Sequence, residues 1–153
     1  MIARECPVLR SDVSVLDVLA VMVRGRRPGV VIVGFDGRPV TALSLQEVLD
    51  LLLPWPFRES PNLAGAVPEE IGDRILAEAA RRPIGDLPGL PAWERCRVPG
   101  GATTLQVLTQ MSRRRSALAA VHDDAGSPVI SADHLLERLL RVCESEAREP
   151  KAG

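Results

Sequence analysis

A shift of 89 residues lays one half of this sequence on the other. LRSDVSVLDVLAVMVR, starting at Leu9, falls on VPGGATTLQVLTQMSR, starting at Val98. In that register Leu16 meets Leu105, Val18 meets Val107, Leu19 meets Leu108 and Met22 meets Met111. Further on Ile32 meets Val121, Gly37 meets Gly126, Pro39 meets Pro128 and Val40 meets Val129. The shift then drops to 87, pairing Ser44 with Ser131, Val48 and Leu49 with Leu135 and Leu136, and Leu52 and Leu53 with Leu139 and Leu140. The second copy therefore lacks two residues just before its last helix. A duplication of this length requires that both halves form the same supersecondary unit. The Gly, Pro and Ser matches carry most weight, because apolar positions coincide in any two amphipathic helices.

Each half predicts the order β-α-β-β-α. A short strand is expected near Pro7–Leu9 and again near Cys96–Val98. Ser14 with Asp17, and Thr103 with Gln106, have the spacing of a capping box opening a helix whose apolar residues recur every three or four positions. Two runs rich in β-branched residues follow, Gly29–Val33 and Pro39–Leu43. Between them lies Phe35-Asp36-Gly37-Arg38, and Asp-Gly is a strong hairpin signal. In the second copy the runs are Ala117–His122 and Pro128–Ile130, around Asp123-Asp124-Ala125-Gly126. A closing helix is expected from Ser44 to about Leu53, and from Ser131 to about Cys143. PWPFRESPNLAGAVP reads as a loop, and Glu69–Arg82 as a helix stopped by Pro83. Ile84–Leu87 reads as a turn leading into the second copy. The expected organisation is repeat one over 1–53, a linker with a helix over 54–83, repeat two over 84–143 and a flexible tail over 144–153.

Composition narrows the function classes. Nineteen basic and twenty acidic residues give a net charge of -1, and Lys151 is the only lysine. A general nucleic-acid binder needs a strongly basic domain and aromatic platforms; this chain has two Trp, two Phe and no Tyr. Its apolar runs are too short to span a bilayer, and MIARECPVLR carries no apolar signal core, so the expected location is the cytoplasm. Cys6, Cys96 and Cys143 have no metal-ligand or disulfide spacing. None of the common phosphate-loop, dinucleotide, zinc-protease or serine-hydrolase motifs occurs, so the chain reads as a non-enzyme. His122, Asp123, Asp124 and His134 could suggest a metal, but short turn residues are usually solvated and none is assigned. Arg24, Arg26 and Arg27 after the first helix match Arg113, Arg114 and Arg115. They read as helix ends favoured by the dipole or as anion contacts.

A helix, a hairpin of the form V-V-I-V-x-x-D-G-x-P-V and a Ser-x-x-acid helix start resemble the cystathionine-β-synthase (CBS) domain. Two in tandem resemble a CBS pair, or Bateman module, over roughly Glu5–Val142. The resemblance implies an α/β fold of the α+β sandwich-like kind, two β-α-β-β-α repeats with pseudo-twofold symmetry, and pairing into a homodimer through helical faces. It also implies a regulatory role, with AMP, ADP, ATP or S-adenosylmethionine held in a cleft between repeats and the change passed to a protein partner. No membrane or nucleic-acid partner is implied.

The family's Ser or Thr at the helix start faces phosphate, where helix amides favour anions. Its acid three residues later grips the ribose. Carried over, these are Ser44 and Glu47 in repeat one, with Val30, Val31 and Leu43 as apolar neighbours of a base, and Ser131 and His134 in repeat two. Thr41 replaces the usual Gly and Glu47 the usual Asp, while His134 stands where an acid belongs. Ser44 with Glu47 is also a sufficient capping box without a ligand. Two readings therefore stand: an adenosine-ligand sensor that uses repeat one before repeat two, or a degenerate pair serving as a dimerisation or interaction module without nucleotide.

Overall fold

The computed structural model describes residues 6–122 and 129–148. They form two compact units, one spanning Cys6–Trp93 and the other beginning at Glu94. In the first, β1 (Val8–Arg10), α1 (Val15–Arg24), β2 (Gly29–Val33), β3 (Pro39–Ser44) and α2 (Leu45–Leu52) give the expected order. Its sheet runs β1-β2-β3, with β1 parallel and β3 antiparallel to β2. Three further helices follow: α3 (Trp55–Glu59), α4 (Asn62–Gly65) and α5 (Glu69–Ala80). The second unit repeats the plan with β4 (Arg97–Pro99), α6 (Thr104–Arg114), β5 (Leu118–His122), β6 (Val129–Ser131) and α7 (Ala132–Arg148), its sheet running β4-β5-β6.

The two units match down to individual hydrogen bonds. Val8 pairs with Val31 and Arg97 with Ala120; Val30 pairs with Leu43 and Ala119 with Ile130. Ser11 N–H donates to Val33 O at 2.9 Å, and its counterpart Gly100 N–H donates to His122 O at 3.0 Å. The ends of α1 and α6 agree as well. Arg27 N–H reaches Met22 O at 2.8 Å and Ser116 N–H reaches Met111 O at 3.0 Å, closing each helix with Arg26 and Arg115 left-handed at φ 49°. Glycine is the ordinary occupant of that position, so a shared non-glycine exception is a strong mark of duplication.

Amphipathic spacing decides what each helix buries. Val15, Val18 and Met22 of α1, with Val48 and Leu52 of α2, pack on Val30, Ile32 and Leu43 of the sheet. The second core joins Val107 and Met111 of α6 and Leu135 of α7 to Val98, Ala119 and Ile130. Each core is closed on one side of its sheet by helices that leave Leu16, Val23, Leu105, Leu136 and Leu140 exposed.

Four local expectations are revised. The Pro-rich stretch after Leu53 is helical in two places because Pro54 and Pro61 sit at N-caps and Pro56 in a first turn, where no backbone N–H is needed. The Ser14–Asp17 pair forms half a capping box: the Ser14 hydroxyl accepts from Asp17 N–H at 3.1 Å. Ile84 and Leu87 belong to the first core rather than leading into the second, because Ile84 N–H and Gly85 N–H donate to Val13 O and Ser11 O at 2.8 and 2.9 Å. Helix α7 runs on past Cys143 to Arg148. The turn Asp123–Gly126, with Pro128, and residues 149–153 of the expected tail lie outside the described residues.

Candidate functional site

The strand-to-helix junction at Ser44 gathers the residues singled out in repeat one. Ser44 ends β3 in an extended conformation and caps α2. Its hydroxyl accepts from Glu47 N–H at 3.4 Å and donates to Glu47 Oε1 at 3.0 Å. That same oxygen accepts from Ser44 N–H at 3.1 Å. The capping box is therefore complete, and the one hydroxyl proton of Ser44 is committed to Glu47. Ser44 is buried and Glu47 half-buried, so a carboxylate stands at the edge of a site whose hydroxyl lies beneath it.

Ladder register sorts the apolar candidates by face. Directly opposed residues of an antiparallel pair share a face, and faces alternate along the strand. Val30 with Leu43, and Ile32 with Thr41, lie on the helix side, where Val30, Ile32 and Leu43 join the core. Gly29 with Ser44, and Val31 with Ala42, lie on the other side. Val30 and Leu43 are thus spent in packing. The apolar wall on Ser44's own face is Val31 and Ala42, and Ala42 is a residue the sequence reading missed. Alternation along β3 from Ser44 would have found it.

The corresponding junction in repeat two differs in two ways. The Ser131 hydroxyl accepts from His134 N–H at 3.3 Å, but an imidazole stands where Glu47 has its carboxylate. In addition, Ser131 is paired with Leu118, whereas Ser44 is paired with Gly29. Opposed β-carbons lie roughly 4.5–5.5 Å apart, so a leucine only 3% exposed crowds the serine. In repeat one that place is empty of side chain. The two-residue deficit of repeat two falls largely outside the described residues.

The remaining candidates are accounted for by contacts. His122 Nδ1 lies 2.6 Å from Arg97 Nη2, and a guanidinium there takes the lone pair a metal would need. Asp123 and Asp124 lie outside the described residues. Among the described residues no group of three or more His, Cys, Asp or Glu could hold a metal ion. Burial is the main force on the Cys6 and Cys96 thiols and pushes both up; Arg27 pulls the first partly back, and Arg95 and Arg114 the second. Both thiols are thereby kept from the thiolate form that reactive chemistry uses.

With the topology of both units established, comparison with solved structures identifies the fold. A CBS-domain-containing protein of unknown function from Kribbella flavida shares 28% identity, covering 90% of this chain and 95% of that one, with a TM-score of 0.60. The chain has the fold of a CBS-domain pair. CBSX2, solved in complex with AMP, superposes with TM-score 0.60 at 16% identity, covering 93% of each chain. The CBS domain of the bacterial CNNM/CorC family Mg2+ transporter, solved in complex with ATP, gives 0.57 at 17% identity, covering 92% of this chain and 83% of that one. No family model matches the sequence, and no curated protein matches it. No helix among the described residues is long and apolar enough to cross a membrane.

Proposed function

We propose that this CBS pair is a regulatory module, rather than a catalyst, that binds an adenosine-containing ligand at repeat one. The ligand class is AMP, ADP, ATP or S-adenosylmethionine. The observation that carries the reading is the Ser44–Glu47 junction: a hydroxyl and a helix start that suit phosphate, a carboxylate three residues on that suits two ribose hydroxyls, and Val31 with Ala42 beside them. The AMP and ATP complexes of CBS proteins of the same fold support it. Repeat two is the lesser site, because Leu118 crowds Ser131 and His134 replaces the acid.

Thermal melts with each of the four ligands test the reading. A ligand at 100 times its dissociation constant stabilises the fold by about 2.7 kcal/mol. Glu47→Ala should weaken binding by at least about 1.5 kcal/mol, the lower end of the scale of a hydrogen bond to a charged group, and His134→Ala much less. Equal losses, or tight binding indifferent to Glu47, overturn the assignment.

A second reading has its own support. The Ser44 hydroxyl is already satisfied by Glu47, as a pure cap requires, and large apolar side chains on α1, α6 and α7 are exposed. On this reading the pair is an interaction module without nucleotide. Under both readings we propose a homodimer formed through these helical faces, since exposed apolar patches mark interfaces. Light scattering at micromolar concentration checks it, and a mass near 16.5 kDa that persists on concentration refutes it.

A further inference from the structure

Repeat one is complete at Leu53, yet helices α3, α4 and α5 follow it with no counterpart among the described residues of repeat two. Of these, α3 and α5, with the end of α2 and the segment 87–89, line a groove of about 630 Å³ within the first unit. Leu52, Leu53, Ile75 and Leu87 supply apolar wall, and the charged groups along it are Arg58, Glu78 and Arg82. Trp55 lines the same groove although 68% exposed. A volume of this size, mostly apolar walls and a few polar groups are the usual features of a small-molecule site.

From these features we propose that the groove is a binding site for an organic monocarboxylate whose body is an aromatic ring or a short acyl chain. It is separate from the Ser44 junction. Charge selects the class. Two arginines against one glutamate leave a single positive charge, which one carboxylate neutralises; a polyphosphate would leave surplus negative charge facing Glu78. Arg58 is held on the wall by donating from Nε to Leu53 O at 3.2 Å, which keeps its two η-nitrogens, the pair suited to a carboxylate, turned to other partners. Among the described residues neither those nitrogens, nor the Arg82 side chain, nor the Glu78 carboxylate has a partner. Glu78 and Arg82, four residues apart, do not satisfy each other. Trp55 offers an aromatic face to the body of the ligand.

The test uses the full chain with octanoate and 3-phenylpropanoate, and with octanamide as the uncharged match. Calorimetry should give carboxylate binding at least tenfold tighter than the amide. Replacing both arginines (Arg58→Gln with Arg82→Gln) should bring the acids down to the amide's affinity and leave the amide unchanged. Glu78→Gln, which removes the repelling charge and no wall, should tighten the acids, so the proposal stays open to refutation should the double variant misfold. With Trp93→Phe as background, Trp55 is the only tryptophan, and its emission should shift on saturation. Acid and amide binding alike, no binding at about 5 mM to a protein with an unaltered melt, weaker binding to Glu78→Gln, or a silent Trp55 would each overturn the proposal.

Discussion

The left-handed arginines offer a clean test of how each unit ends its first helix. Arg115 sits at φ 49°, ψ 45°, with its N–H on Ser112 O at 3.3 Å and the next N–H on Met111 O. Arg26 holds the same φ and the same pair of bonds, to Val23 O and Met22 O. A side-chain-bearing residue costs about 1–2 kcal/mol in this region. Glycine avoids that cost but gives up about 0.4–1 kcal/mol through greater freedom of the unfolded chain. Arg115→Gly should therefore stabilise its unit by about 0.5–1 kcal/mol, and Arg26→Gly likewise. For a chain of this size each kcal/mol moves the melting temperature by roughly 2–4 °C, so a rise of about 1–4 °C is expected by scanning calorimetry. Arg115→Ala is the control, since it removes the charge and keeps the β-carbon; it should give no rise. If alanine stabilises as much as glycine, relief of charge crowding among Arg113, Arg114 and Arg115 is the cause and the strain account fails. A glycine variant that melts lower refutes it outright.

Three further outcomes follow from particular contacts. Gly85→Ala should destabilise the first unit by about 1–3 kcal/mol in urea melts, because a β-carbon there would stand 2.7 Å from Ser11 Cβ and 2.8 Å from Ser11 O. Cys143 is exposed and Cys96 buried with its thiol pushed up, so brief iodoacetamide treatment at neutral pH should place the first adduct on Cys143 by peptide mapping; initial labelling of Cys96 would contradict the burial. Asp12 is held below the usual carboxylate range chiefly by its hydrogen bond with Arg10, at 2.6 Å. A depressed folded-state pKa favours folding above the unfolded value and ceases to do so as pH falls through the folded one, so Asp12→Asn should flatten the acid limb of the stability curve, and an unchanged limb would show the pair to be inert.

Duplication was legible in the sequence because both copies keep Gly, Pro and Ser at turns and helix starts, where backbone geometry restricts the choice. The hairpin at Asp36-Gly37 is an instance: Gly37 adopts φ 77° and Asp36 Oδ1 accepts from Arg38 N–H. Which face each strand residue takes was not legible. GVVIV is apolar throughout and buried on both sides, so it has no alternation to separate Val30 from Val31; only the pairing with β3 does so. The left-handed turns were hidden because arginine is not the residue that marks them. Leu118 opposite Ser131 is a matter of register, and the groove of the first unit is assembled from segments that meet only after α5 folds back on α2.

The closed bond between Ser44 and Glu47 sets a threshold for anything that acts at that junction. A ligand that needs the serine proton must first meet molecules in which Glu47 has released it. If release costs about 1 kcal/mol, the net worth of an ordinary hydrogen bond, only about one molecule in six is ready at any moment. Apparent affinity is weaker than intrinsic affinity by that same factor, about sixfold. Response then begins at correspondingly higher ligand concentrations, and any change that loosens the first turn of α2 lowers the threshold without altering a single ligand contact.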